Sequence, residues 1–163
     1  MTNAGIGIEA VRESFRPAKI TTLFVGESAP SGDFFYIGNT AMHRYMQHAV
    51  EAYLGKSGNF LESFKGYGWY LDDLVLTPVN HMNRSRRLAE CRRAEGGLAR
   101  RIEGYGPLAI VSLLRSIDEI VKAAAVAAGI SAPFYPVPFP GMGLQGRFLD
   151  EMARIIPVLP RTA

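Results

Sequence analysis

The sequence predicts a three-layer α/β/α domain around a central, mostly parallel, four-stranded sheet. Three observations lead there. Short apolar runs rich in β-branched and aromatic residues alternate with longer segments whose apolar residues recur every three or four positions, the alternation that builds α/β layers. The strand-like runs are mostly apolar and do not alternate at every second residue, as in strands covered on both faces. Finally, 163 residues, 48% apolar and 20% charged, supply one core of ordinary size. A single domain over residues 1–163 is expected.

Ile20–Gly26 (ITTLFVG) reads as the first strand, a β-branched and aromatic run that ends in the loop GESAPSGD. Phe34–Ile37 is a short apolar run. Thr40 then opens a helix whose stripe is Met42, Tyr45, Met46, Ala49, Val50, Tyr53 and Leu54, and Gly55 stops it. His43 and His48 fall off that stripe and are expected on the surface. Tyr70–Val79 (YLDDLVLTPV) reads as the second strand, although Asp72 and Asp73 have no packing reason to stand in it. An arginine-rich helix is expected from about Ser85 to Ile102, weakened in its middle by Gly96 and Gly97. Ala109–Leu113 is the third strand, and Ser116 with Glu119 has the spacing of a capping box for the alanine-rich helix that ends at Gly129. Phe134–Val137 is the last strand; it runs into PFPGMGLQG, and Arg147–Ile156 closes the chain as a helix.

Composition excludes several classes. No apolar stretch approaches the roughly 18 to 20 residues that span a bilayer. The start, MTNAGIGIEAVRES, has no basic region followed by an apolar one, so no secretory leader and a cytoplasmic location are expected. Cys91 is alone and so makes no internal disulfide, nor does it hold zinc or an iron–sulfur cluster, which take about four ligands. No metal or other cofactor is expected. The net charge is +3, yet between His81 and Glu103 seven arginines (Arg84, Arg86, Arg87, Arg92, Arg93, Arg100, Arg101) face only Glu90, Glu95 and Glu103. Arginine's planar fork suits phosphate oxygens, so this segment points to a polyanion. A solvated helix face with Glu and Arg in register is the alternative.

In a parallel sheet, ligands bind at the carboxyl ends of the strands. Three loops leave those ends: GESAPSGDFFY, the Asp72–Arg87 region and PFPGMGLQGR. Gly26–Ala29 spells the start of a serine-esterase nucleophile elbow, with Ser28 as nucleophile. The elbow requires glycine two residues after the serine, however, and Pro30 stands there; no HGG-type segment precedes it, and His81 is the last histidine.

Taken together, the three loops tell a different story. GESAP (Gly26–Pro30), the aromatic segment FFYIG (Phe34–Gly38), the strand YLDDLVLTPV and the loop PFPGMGLQGRF follow one another in the order of the uracil-DNA glycosylase superfamily, which the chain resembles from about Ile20 to Phe148. That family has a GEAPG-type or GQDPY-type loop, an aromatic after it, a strand bearing a base-reading Asn, and an H-P-S loop near its end. The resemblance implies a cluster-free DNA glycosylase that flips out uracil or a related deaminated base. Two positions depart from the pattern. Asp73 stands at the place of the Asn, and Phe139, which donates no hydrogen bond, at the place of the His.

The chemistry of these positions fits the implied activity. Hydrolysis of an N-glycosidic bond passes through an oxocarbenium-like sugar, which a carboxylate stabilises while it orients a water. Glu27 is the candidate, with a carboxylate that caps loop amides as the alternative. A flipped base needs an aromatic to stack on and polar groups at its edge. Phe35 and Tyr36 are the candidate platforms, though at least one of this aromatic run belongs to the core; Ser28, Asp73 and Phe139 complete the base-binding set. An Asn donates to uracil O4 and accepts from N3–H, whereas an ionised Asp only accepts. A backbone donor to O4 would then be needed, or Asp72 rather than Asp73 faces the pocket. Arg84, Arg86 and Arg87 are placed to meet the flanking phosphates, with Arg147 beyond the last loop. Met142 or Leu144 is placed to wedge into the vacated stack, unless that loop is simply a glycine-rich surface turn. The expected partners are DNA bearing such a base, free uracil as product, and no membrane, with the chain acting as a monomer. A lesion-binding relative that does not cleave is the second reading.

Overall fold

The computed structural model describes residues 4–162. Residues 1–3 and 163 lie outside the described residues, and with them the start of the segment read for a leader. Among the described residues the sheet has four strands, β1 (Thr22–Gly26), β2 (Trp69–Asp73), β3 (Ala109–Ser112) and β4 (Phe134–Pro136), in the order β2-β1-β3-β4. All three pairings are parallel, so the expected mostly parallel sheet is parallel throughout. Seven α-helices accompany it among the described residues: α1 (Ala4–Ser14), α2 (Ala41–Leu54), α3 (Phe60–Gly66), α4 (Arg84–Arg93), α5 (Glu95–Tyr105), α6 (Asp118–Ala127) and α7 (Gln145–Ile155). α2 packs on α7 and α5 on α6, which gives the outer layers of the α/β/α arrangement. β1 and β3 are buried along almost their whole length, as their largely apolar runs require.

Several local expectations hold for the reasons that suggested them. Thr40 caps α2, its hydroxyl accepting from His43 N at 3.0 Å, and Gly55 ends the helix with φ 87°. The stripe of α2 buries Met42, Met46, Ala49 and Val50. Other expectations fail. His43 is half-buried rather than on the surface, its Nδ1 2.9 Å from the Phe35 carbonyl and its ring edge-on to Phe60. β2 stops at Asp73 rather than at Val79. Leu74 N and Val75 N still donate to the carbonyls of Gly26 and Glu27, but the Arg101 guanidinium then takes the carbonyls of Asp73 and Leu74 and the chain leaves the sheet. Leu74, Val75 and Val79 are buried in the loop, so their apolar run signals burial, not strand pairing.

The arginine-rich segment is two helices that break at Ala94, where the N–H turns back to the carbonyls of Glu90 and Cys91; Gly96 and Gly97 fall in the first turn of α5. Ser116 makes no capping box, because it lies within a 3₁₀ turn, Arg115–Ile117, that leads straight into α6. α1 and α3 have no counterpart in the sequence reading.

Among the described residues no helix is long and apolar enough to cross a membrane, and no group of three or more His, Cys, Asp or Glu is placed to hold a metal ion.

Candidate active site

The carboxyl ends of β1, β2 and β3 open into a cavity of about 350 Å³. Residues from all three predicted loops line it: Gly26, Glu27 and Ser28 after β1, Asp73 and Asn80 at and beyond β2, and Phe139 after β4. Phe34, Phe35 and Met42 supply its apolar wall, and Arg87 reaches in from α4.

Hydrogen bonds tie the loops to one another. Ser28 Oγ accepts from Val79 N at 3.3 Å, which joins the first loop to the second. Asn39 Oδ1 accepts from Phe34 N at 2.8 Å and fixes the aromatic segment. That segment forms a 3₁₀ turn, Phe35–Ile37, ended by Gly38 at φ 89°, a left-handed conformation that glycine adopts without strain.

Glu27 lies at the mouth. Its Oε1 is paired with Arg87 Nη2 at 2.5 Å, and its Oε2 faces the Cys91 sulfur at 3.9 Å. Burial, with the nearby charge of Glu27, pushes the Cys91 thiol up to about 11. It is a protonated, packed thiol rather than a nucleophile.

The floor is built on Asp72 and Asp73, and consecutive strand residues point to opposite faces. Asp73 turns to the cavity; Asp72 turns to α5, where Arg101 and the Tyr105 hydroxyl bind its Oδ2. The cation that explains both acids comes from the start of the chain. Arg12, on α1, is only 3% exposed, with Nη2 3.2 Å from Asp73 Oδ2 and Nη1 3.7 Å from Asp72 Oδ1. Burial works against its charge, but Asp73, Asp72 and Glu9 outweigh that and hold its pKa above the ordinary value. Asp73 moves the other way for a carboxylate. Burial pushes it up to about 6 against the pull of Arg12, with Asp72 and Glu9 adding to the rise.

No family model and no curated protein matches this chain.

The predicted residues divide into three sets. Glu27, Ser28, Phe35, Asp73, Phe139 and Arg87 meet at the cavity. Tyr36 does not, which corrects its reading as a stacking platform. Its hydroxyl donates to the Leu71 carbonyl at 3.0 Å and accepts from Leu71 N at 2.6 Å. β2 is an edge strand, so a side chain from the first loop satisfies backbone groups that no neighbouring strand reaches. The third set is Arg84, Arg86, Met142, Leu144 and Arg147, none of which lines the cavity. Arg84, Arg86 and Arg147 are exposed, and Met142 is 98% exposed at φ 53° on the tip of its loop.

Sequence reasoning placed none of Arg12, Arg101, Asn39 and Thr40 at the site. The signal for the first two was the unexplained pair of acids itself, since buried carboxylates need cations.

The serine-esterase reading loses its base. Ser28 Oγ is engaged by Val79 N, no histidine is among the residues lining the cavity, and His43 Nδ1 is engaged by the Phe35 carbonyl.

Proposed function

We propose that this chain is a cofactor-free DNA glycosylase of the uracil-DNA glycosylase type, which hydrolyses the N-glycosidic bond of uracil or a related deaminated base. The observation that carries the reading is the meeting of a carboxylate, a base-edge acceptor and an aromatic wall (Glu27, Asp73, Phe35) in one cavity at the strand ends. A flipped base stacks against Phe35 with Asp73 at its edge and Phe139, 39% exposed, at the rim. Glu27 orients a water toward C1′ of the sugar and faces the positive charge that develops there. The C1′–N bond breaks, its electron pair leaves with the base, the water's oxygen bonds to C1′, and the proton that this water loses passes to Glu27 and then, through solvent, to the departed base anion. Arg87 holds Glu27 in place, while Arg84 and Arg86, on the exposed side of the same helix, meet the phosphates on either side. The exposed Met142 is the wedge that fills the vacated stack. A monomer acting on DNA in the cytoplasm fits this reading.

The test is incubation with a uracil-bearing oligonucleotide, and with its hypoxanthine counterpart, followed by alkali to reveal abasic sites. Strand cleavage is expected for wild type, and Glu27→Gln should lower the single-turnover rate by about two orders of magnitude or more while binding persists. No abasic sites from any deaminated base would refute the enzyme reading. Tight binding without cleavage would instead favour a lesion-binding protein, an alternative motivated by the Arg87 clamp on Glu27 and by Phe139, which donates nothing to a departing base.

A further inference from the structure

We propose that the cavity selects a 6-oxopurine ring, that of the deaminated base hypoxanthine, over uracil, with Asp73 as the acceptor for the ring N1–H and Arg12 as the residue that positions it. This rests on the base-binding reading above and sharpens it. Three features of the site carry it.

The first is the way Asp73 is held. The Arg12 guanidinium that pairs with Asp73 Oδ2 also donates to the Leu71 carbonyl at 3.4 Å and to Glu9, and it lies 4.9 Å from the centre of the Phe34 ring. A guanidinium fixed on so many sides gives Asp73 one orientation and favours its charged form. An ionised carboxylate offers acceptors only.

The second is the space made for it. A Cβ on Gly26 would fall 2.6 Å from Asp73 Oδ1, while Gly26 is not among the residues with positive φ. Glycine is there for room, and the room lets the carboxylate lie across the end of β1 at the cavity.

The third is the chemistry of the ring edge. The N3–H of uracil stands between two carbonyls, so a carboxylate lying side-on to it in the ring plane sets its second oxygen against a carbonyl lone pair on either side. The N1–H of a 6-oxopurine has a carbonyl on one side only. On the other side is a C–H in hypoxanthine and an amino group in guanine, and in the latter both carboxylate oxygens find a donor. Leaving a buried acceptor against another acceptor costs about 1–3 kcal/mol, about fivefold to 150-fold in affinity. A cavity of about 350 Å³ lies within the range of sites for ligands larger than a single ring.

The experiment is calorimetric titration of the chain with free hypoxanthine, 9-methylguanine, uracil and xanthine, the last having its N1–H between two carbonyls as uracil has. Wild type should bind the first two about fivefold or more tighter than the other two. Asp73→Asn should bring uracil close to hypoxanthine, because an amide meets the N–H and C=O pair that both present. Arg12→Lys, which keeps the charge but loses the fork, should narrow the ranking without abolishing binding. Uracil binding as tightly as hypoxanthine to wild type overturns the proposal and leaves the base-binding reading standing. If none of the four binds, both fall. The wild-type ranking needs no variant and decides the matter even where a variant fails to fold.

Discussion

The floor and the mouth of the cavity use the same two chemical groups to different ends. At the floor, the Arg12 side chain is 4% exposed and its partners Asp72 and Asp73 are as deeply buried. At the mouth, the Arg87 side chain is 37% exposed and Glu27 borders open space. A desolvated pair cannot lose one member without stranding the other, whereas a pair reached by water exchanges partners at little cost. The floor therefore holds its carboxylates in one geometry, while the pair at the mouth can exchange partners. Depth, rather than residue type, separates the carboxylates locked by a buried cation from the one whose partner is reached by solvent.

Arg12→Met breaks the comparison most directly. It leaves two buried acids without their shared cation, and urea denaturation should show a loss of about 3–5 kcal/mol in stability. A loss below about 1 kcal/mol would put the floor on the same footing as the mouth.

The legibility of the sequence follows the same division. The mouth could be read, because Glu27, Ser28 and the aromatics stand next to a strand that announces itself in ITTLFVG. The floor could not, because its logic is long-range. Arg12 meets Leu71 across 59 residues, and nothing local distinguishes it from Arg16, four positions on, which is exposed. Asp72 and Asp73 could be seen to be anomalous but not to be answered. Tyr36 was misread because its aromatic neighbours suggested a platform, while its hydroxyl serves the unpaired edge of β2.

The second prediction concerns the proton on Asp73, whose pKa is raised from 3.8 to about 6 in the folded chain by burial. Between those values the folded state holds a proton that the unfolded state has released. Stability from this group is therefore full below about pH 4 and lost as pH rises through about 6, by at most about 3 kcal/mol. Asp73→Asn should flatten that part of the profile of unfolding free energy against pH, measured from pH 4 to 7. Glu9, Arg12 and Asp72 surround the group and should shift the midpoint without removing the slope. An unchanged profile in the variant would assign the slope to another residue.

The smallest effect on folding belongs to the mouth. Replacing Arg84, Arg86 and Arg87 together by alanine should cost about 1 kcal/mol or less in stability, since two are exposed and the third is reached by solvent. The salt dependence of DNA affinity should nevertheless drop, each lost phosphate contact taking about 0.7 to 0.9 from the slope of log affinity against log salt. A triple variant with the wild-type slope would mean that these arginines only solvate the helix.

At the opposite end of the sheet, the Pro160 carbonyl accepts from the hydroxyls of Thr21 and Thr22 and from Trp69 Nε1, and Thr162 N donates to the Tyr67 carbonyl. The partners of Pro160 span up to 139 residues of chain. During synthesis the amino ends of β1 and β2 emerge long before the segment that completes their hydrogen bonding, and at about 5–20 residues per second the wait is on the order of ten seconds. The sheet thus carries a clasp that closes last. Until residue 160 has left the ribosome, the Thr21 hydroxyl can turn to the carbonyls of Tyr67 and Gly68, but the Thr22 hydroxyl and Trp69 Nε1 are left to water, and a ribosome stalled short of that point holds a sheet left open at its amino-terminal edge.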